Sequence, residues 1–268
     1  MPKYWETVIF LVKRIESASN TLIKQTKKLK EKKYRVREKL FIAEGDNLCR
    51  ELFNHKPELV KTVFATEEYL KENSVEGFDV ISVPDFILES LCETKTPQGI
   101  VAVASFGEAA SVGFIGDCLL VYLDNVKDPG NVGTIIRTAD AAGADGVILS
   151  KECADIYNSK TLRATMGSAF HIQVIYEDEY LSILKNLKEQ GYKIFAGCLD
   201  AKGCIFDEDF KGKSVICIGN EAHGISDELV NVGVNKTKIP ILGKAESLNA
   251  SIAGAVMMYE AVRQRGSL

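Results

Sequence analysis

The stretch CLLVYLDNVKDPGNVGTIIRTADAAGADGVILS, residues 118–150, holds one complete strand–helix–strand unit of an α/β fold. Cys118–Asp124 is a near-continuous apolar run, as expected of a strand buried on both faces. Pro129 and Gly130 make a turn, and Asn131 stands where a residue caps a helix. The helix predicted over Gly133–Ala142 carries an apolar stripe of Ile135, Ile136, Ala139 and Ala142, and Gly143 ends it before a second strand at Gly146–Ser150. Toward the C-terminus the alternation repeats. Strands are predicted at His171–Ile175, Lys193–Leu199, Ser214–Gly219 and Lys238–Leu242. Helices are predicted at Ser159–Ala169, Leu181–Gln190 and, briefly, Ser226–Val230, with a long final one from Ser247 to Gln264. This pattern predicts an α/β domain built on a parallel sheet with helices on both faces.

Toward the N-terminus, SFGEAASVGFIG (residues 105–116) is rich in small residues and reads as a linker. Ahead of it, residues 17–53 read as helical from a cap at Ser19-Asn20. Strand-like runs at Leu59–Ala65, Asp79–Val83 and Gly99–Ser105 then alternate with helical segments around Glu67–Glu72 and Pro84–Leu91. The predicted organisation is a smaller α/β domain over 1–105, a linker over 106–116 and the parallel-sheet domain over 117–268.

Composition excludes several classes. The longest apolar run near the N-terminus, Val8–Val12, is too short for a membrane span or a signal sequence, so a cytoplasmic protein is expected. Seven cysteines, none in a C-x-x-C pair, and three scattered histidines predict neither a disulfide framework nor a metal site. The net charge of −4 hides an asymmetry: Lys24 to Lys39 holds nine basic residues against Glu31 and Glu38. A basic block on an acidic body attracts phosphate while the rest of the surface stays soluble.

Ligands of open parallel sheets bind beyond the carboxyl ends of strands. Three such ends carry unusual clusters: Asp124–Gly133 leading to Arg137, Gly219–Ser226 around Glu221, and Ile239–Asn249 with a proline in mid-run. Each alone also reads as ordinary structure: a solvated helix arginine, a solvated loop glutamate, and capping by Ser226, Ser247 or Asn249. A dinucleotide-binding enzyme requires G-x-G-x-x-G at the first turn, and Pro129-Gly130-Asn131-Val132-Gly133 lacks that spacing.

Taken together, Asn131 with Arg137, Gly219-Asn220-Glu221-x-x-Gly224, and Ile239-Pro240 with Ser247-Leu248-Asn249 resemble, in order and spacing, the motifs of the SpoU–TrmH family. That family belongs to the SPOUT class of RNA ribose 2′-O-methyltransferases, and the resemblance covers about residues 117–264. Upstream, Ser19-Asn20-x-x-Ile23-Lys24, Phe41-Ile42 with Glu44-Gly45, and Thr96-Pro97-Gln98-Gly99-Ile100 look like the family's small substrate-binding domain. The resemblance implies a deep trefoil knot and S-adenosylmethionine held by groups around Gly197, Gly219, Ile239, Leu248 and Asn249. It implies a catalytic set of Arg137, Asn131, Glu221, Ser247 and Asn249, with Glu221 orienting Arg137. It also implies a homodimer, for which Leu248, Ile252, Ala255, Tyr259 and Val262 offer an apolar face. RNA would meet Lys24, Lys27, Lys28, Lys32 and Lys33, with Arg163 a second contact; ribosomal RNA is favoured over transfer RNA. Arg137 is either a base of depressed pKa or a charged clamp on phosphate and developing alkoxide. A catalytically idle RNA-binding or ribosome-assembly protein with the same fold is the alternative function.

Overall fold

Lys39 takes a left-handed backbone conformation (φ 54°), and that one residue splits the basic N-terminal stretch into helix and strand. In the computed structural model, which describes residues 13–107, 114–177 and 179–266, the region read as one helical stretch is four elements. These are α1 (Thr21–Lys28), α2 (Lys32–Glu38), a strand β2 (Leu40–Glu44) and α3 (Asp46–His55). Asn20 caps α1 by accepting from the Leu22 amide at 2.8 Å. The strand was missed because a short apolar run has no periodicity to separate it from a buried helix segment. The remaining strands of this unit are β1 (Lys13–Arg14), β3 (Val60–Ala65), β4 (Val80–Ser82) and β5 (Ile100–Ser105), and its further helices are α4 (Glu67–Glu72) and α5 (Asp85–Leu91). They form a mixed sheet in the order β1-β4-β3-β5-β2, whose core includes Ile23, Phe64, Ile81, Leu88 and Val101.

The chain divides into two compact units, and the division is not linear. Tyr157–Arg163 groups with the N-terminal unit, although it follows the predicted linker by forty residues. Tyr157 stacks on Phe41 and Phe106, with ring centroids 4.7 and 4.0 Å apart. Arg163 donates to the buried Glu44 carboxylate at 3.2 Å, and the Glu93 amide donates to the same carboxylate at 3.0 Å. Arg163, expected to contact RNA, is therefore committed to an ion pair inside this unit. The apolar run at 8–12 and linker residues 108–113 lie outside the described residues.

The second unit is built on β6 (Leu119–Leu123), β7 (Gly146–Leu149), β8 (Gln173–Tyr176), β9 (Lys193–Gly197), β10 (Gly203–Cys204), β11 (Ser214–Ile218) and β12 (Asn235–Lys238). All are parallel, in the order β10-β12-β9-β11-β6-β7-β8. Strands β6, β7 and β11 are buried along their whole length, the condition read from their apolar runs. The helices are α6 (Pro129–Ala141), α7 (Ser159–Thr165), which straddles the two units, α8 (Ser182–Glu189), α9 (Asp227–Asn231) and α10 (Ala250–Arg265). Among the described residues, no helix is long and apolar enough to cross a membrane.

Three boundaries differ from the sequence reading for physical reasons. Helix α6 starts at Pro129, because proline suits the first helical position and Asp128 serves as the cap. Strand β12 ends at Lys238, since Pro240 has no amide to continue a ladder, and the polar run Asn235–Lys238 gave no strand signal. Helix α7 stops at Thr165, where Met166 (φ 51°) and Gly167 (φ 99°) turn left-handed.

Helix α10 packs on α6 and β11 through Gly254, Met257, Met258 and Ala261. Its last residue, Arg265, donates to the carbonyls of Asp117, Cys118, Phe210 and Gly212 and to the Ser214 hydroxyl, pinning the helix to the starts of β6 and β11. Arg265→Ala is expected to destabilise the protein by about 2 kcal/mol, the range for hydrogen bonds from a charged group. Urea unfolding measures it, and an unchanged midpoint would contradict this account of the pin.

Candidate active site

The site begins where two strands stop together. In the β6–β11 ladder Leu123 pairs with Ile218, and the Asp124 amide donates to the Ile218 carbonyl at 2.8 Å. From β6 the chain builds β7 and β8 on one side, while β11, β9, β12 and β10 lie on the other. The β6–β11 pair is thus the switch point of the sheet, and the loops leaving it must splay apart and line a crevice.

Those loops are tied by a chain of hydrogen bonds. Asn249 Nδ2 donates to Asn131 Oδ1 at 3.0 Å, and Asn131 Nδ2 donates to Glu221 Oε1 at 2.9 Å. The Asp128 and Lys127 amides donate to the two Glu221 oxygens at 3.1 and 3.2 Å. Burial disfavours the Glu221 carboxylate, but these donors outweigh it and hold its pKa below the ordinary value. Asp128 Oδ1 accepts from the Asn131 amide at 2.9 Å and so caps α6. The cap expected of Asn131 is made by Asp128 instead, which frees the Asn131 side chain to bridge the other two motifs. Asn249 caps α10 with its Oδ1, accepting from the Ser251 amide at 2.9 Å.

A second, buried layer lies beneath and was not singled out from sequence. Asp124 is 1% exposed and accepts from the Ser226 amide (2.8 Å), the Tyr180 hydroxyl (2.7 Å) and Asn125 Nδ2 (3.1 Å). Burial and the adjoining Asp124 charge push the Tyr180 hydroxyl up to about 12, so it stays a donor at neutral pH. Asn220 Nδ2 donates to the Asn125 carbonyl at 2.8 Å, tying the 220–224 turn to the end of β6. The available signal was a lone acidic residue, Asp124, closing an otherwise apolar strand.

The remaining expected residues are placed as follows. Arg137 is exposed on α6, two turns in, with no hydrogen bond or ion pair among the described residues. Glu221 does not orient it; that carboxylate is committed to Asn131 and the two amides. Ser247 is likewise exposed without a partner among the described residues. Gly197, Gly219 and Ile239 stand at or just beyond the ends of β9, β11 and β12, three neighbouring strands. The glycine at 219 has a reason besides ligand approach. A Cβ there would fall within 3.0 Å of the Gly224 carbonyl and the Ile225 nitrogen, where the turn folds back.

Residues 118–259 match the SpoU rRNA Methylase family, and residues 20–102 match the MRM3-like substrate binding domain. The chain is 36% identical to the 23S rRNA (guanosine(2553)-2'-O)-methyltransferase RlmP of Bacillus subtilis, over 92% of this chain and 98% of that one. It matches the AdoMet-bound rRNA methyltransferase of Sinorhizobium meliloti at 30% identity and a TM-score of 0.82, covering 94% of this chain and 98% of that one. The SpoU methyltransferase AviRb of Streptomyces viridochromogenes, in complex with AdoMet, matches at 27% identity and a TM-score of 0.83, covering 92% and 99%. The fold and site define a SPOUT-class methyltransferase. The chain belongs to the SpoU rRNA methylase family.

The strand ends suit the adenosine-bearing cofactor of that family. Leu199, Leu242 and Leu248, beyond β9 and β12, are 65%, 98% and 38% exposed, leaving apolar surface at the strand ends. The Thr237 hydroxyl, in register with Gly197, is buried with no partner among the described residues.

Two predictions test this geometry. Gly219→Ala is expected to cost both stability and S-adenosylhomocysteine affinity, whereas Gly243→Ala, with open space around it, leaves both unchanged; calorimetry and thermal unfolding separate the pair. Because Glu221 is held below 4.5 in the fold, its carboxylate stabilises the loops above that pH, and the contribution fades as pH falls through the folded value. The stability difference between the parent and Glu221→Gln should therefore be full at neutrality and shrink as pH falls below 4.5 through the lowered folded value. A gap independent of pH would remove the charge from the account.

Proposed function

We propose that this chain transfers the methyl group of S-adenosylmethionine to a ribose 2′-hydroxyl of RNA, in ribosomal rather than transfer RNA. The observation that carries the reading is the convergence of Asn131, Glu221 and Asn249 at the switch point, because it joins three motifs distant in sequence. An idle RNA-binding protein finds no support, since the relatives above are named as enzymes. Their names also support ribosomal RNA as the substrate.

S-adenosylmethionine supplies an electrophilic methyl group on a sulfonium. The backbone around Gly197, Gly219, Ile239 and Leu248 holds it, within the trefoil-knotted passage that the family makes, and Asn249 steadies the last of these segments. Asn131 and Ser247 position the ribose. The chain's contribution is alignment and charge: fixing the acceptor oxygen in a dry crevice supplies up to about 7–11 kcal/mol. Arg137 acts as a charged clamp, because a guanidinium is a poor base at neutral pH while its fork matches phosphate and developing alkoxide. Its exposure, with no hydrogen bond or ion pair among the described residues, supports that role.

The protein acts as a homodimer. Support comes from α10, where Ile252 and Tyr259 are each 51% exposed on the side away from its packed face. The unit carrying α1 and α2 holds the RNA, and residues 106–116 join it to the catalytic unit.

The chain is expected to bind S-adenosylhomocysteine, one molecule per chain, by calorimetry; no binding at millimolar ligand would refute the reading. Arg137→Ala should lose about a hundred- to thousandfold in single-turnover rate with cofactor affinity intact, and Arg137→Lys should retain part of it. Rates from pH 6 to 10 discriminate the roles, since a base of depressed pKa produces a titration near neutrality and a clamp does not.

A further inference from the structure

The basic block between Lys24 and Lys39 does two different jobs. Arg35, 3% exposed, donates to the Leu29 and Lys30 carbonyls at 2.8 and 2.7 Å, closing the α1–α2 turn. Lys30 reaches the Ser90 and Cys92 carbonyls at 2.9 and 2.6 Å, tying that turn to the end of α5. These two cations build the scaffold and are not available to a ligand.

Three of the others crowd one partly buried aromatic ring. Lys28 Nζ from α1 lies 5.6 Å from the Tyr34 centroid, Lys33 Nζ 4.8 Å, and the Arg37 guanidinium 4.9 Å. Each contact is individually weak at an exposed site, and mutual repulsion of like charges works against all three. Their acidic neighbours do not neutralise the patch. Lys33–Glu31 and Arg37–Glu38 are exposed pairs, individually weak and screened by salt, so a phosphate can displace them. A cation cluster alone fits any polyanion, and an apolar ring alone fits many partners. An aromatic ring overlain by cations that a phosphate can draw off, on a helix anchored by Arg35, fits the base and flanking phosphates of an unpaired nucleotide.

We propose that Tyr34 is a stacking platform for an unpaired base of the RNA, with Lys28, Lys33 and Arg37 on the adjacent phosphates. The inference rests on the RNA reading above and adds to it a preference for single-stranded over duplex substrate at this surface. Stacking accepts any base, so the contact positions the RNA without specifying its sequence.

The test uses the full chain with labelled oligouridylate of twelve residues and an RNA duplex of the same length. Tyr34→Ala and Tyr34→Leu should weaken oligouridylate binding by about five- to a hundredfold, leave duplex binding unchanged, and keep the parent's salt slope; Tyr34→Phe should bind like the parent. Lys28→Glu with Lys33→Glu should instead lower the salt slope for both RNAs. Unchanged S-adenosylhomocysteine affinity and melting temperature in the Tyr34 variants exclude a folding defect. The proposal is overturned if Tyr34→Leu binds oligouridylate as the parent does, if single-stranded and duplex binding fall together, or if the parent binds neither RNA. Loss of cofactor binding in the parent would overturn the methyltransferase reading alone, leaving the stacking result to be judged separately.

Discussion

Two parallel strands ending at the same register constrain most of what this protein does. Because Leu123 of β6 lies opposite Ile218 of β11, the loops after them start side by side yet run to helices on different parts of the sheet. That divergence leaves polar groups at the strand ends in need of partners. Asp124 meets the need below, by accepting from Ser226 and Tyr180. Glu221 meets it above, by accepting from Asn131 and two backbone amides. A carboxylate held by several donors is a rigid post, and both posts link a β6-side loop to the β11-side loop.

The same arrangement leaves Arg137 out. Glu221 is occupied by Asn131 and two backbone amides. Arg137 stays exposed on α6 with no hydrogen bond or ion pair among the described residues. Tying Asn249 into this network also anchors the start of α10, and Arg265 pins the other end. The final helix is thereby held at both ends to the strands whose loops form the site.

Charge is partitioned with similar economy in the N-terminal unit. Of the basic residues between Lys24 and Lys39, Arg35 and Lys30 satisfy buried or half-buried carbonyls, and the others face solvent. Arg163 belongs with the scaffold group, through Glu44. Burial pushes the Glu44 carboxyl up and the Arg163 charge and the Glu93 and Thr94 amides draw it back, so the pair is held by its donors rather than by exposure to water.

The sequence by itself determined the parallel-sheet class, the strands β6, β7 and β11, and the three loops that carry polar motifs. Those features are local: apolar runs long enough to be covered on both faces, turn residues between them, and side chains at strand ends. Strand β2 and the polar β12 were not legible, since one lacks periodicity and the other lacks apolar residues. Only the tertiary structure decided that Asp128 caps α6, that Asn131 bridges Glu221 to Asn249, and that Tyr157–Arg163 belongs with the N-terminal unit. The cap is a choice between candidates three residues apart, whereas the bridge and the unit assignment depend on which groups meet across many tens of residues. A side chain's capacity to donate or accept can be read from its identity, but the partner that satisfies it is chosen by the register and packing of elements far apart in the chain.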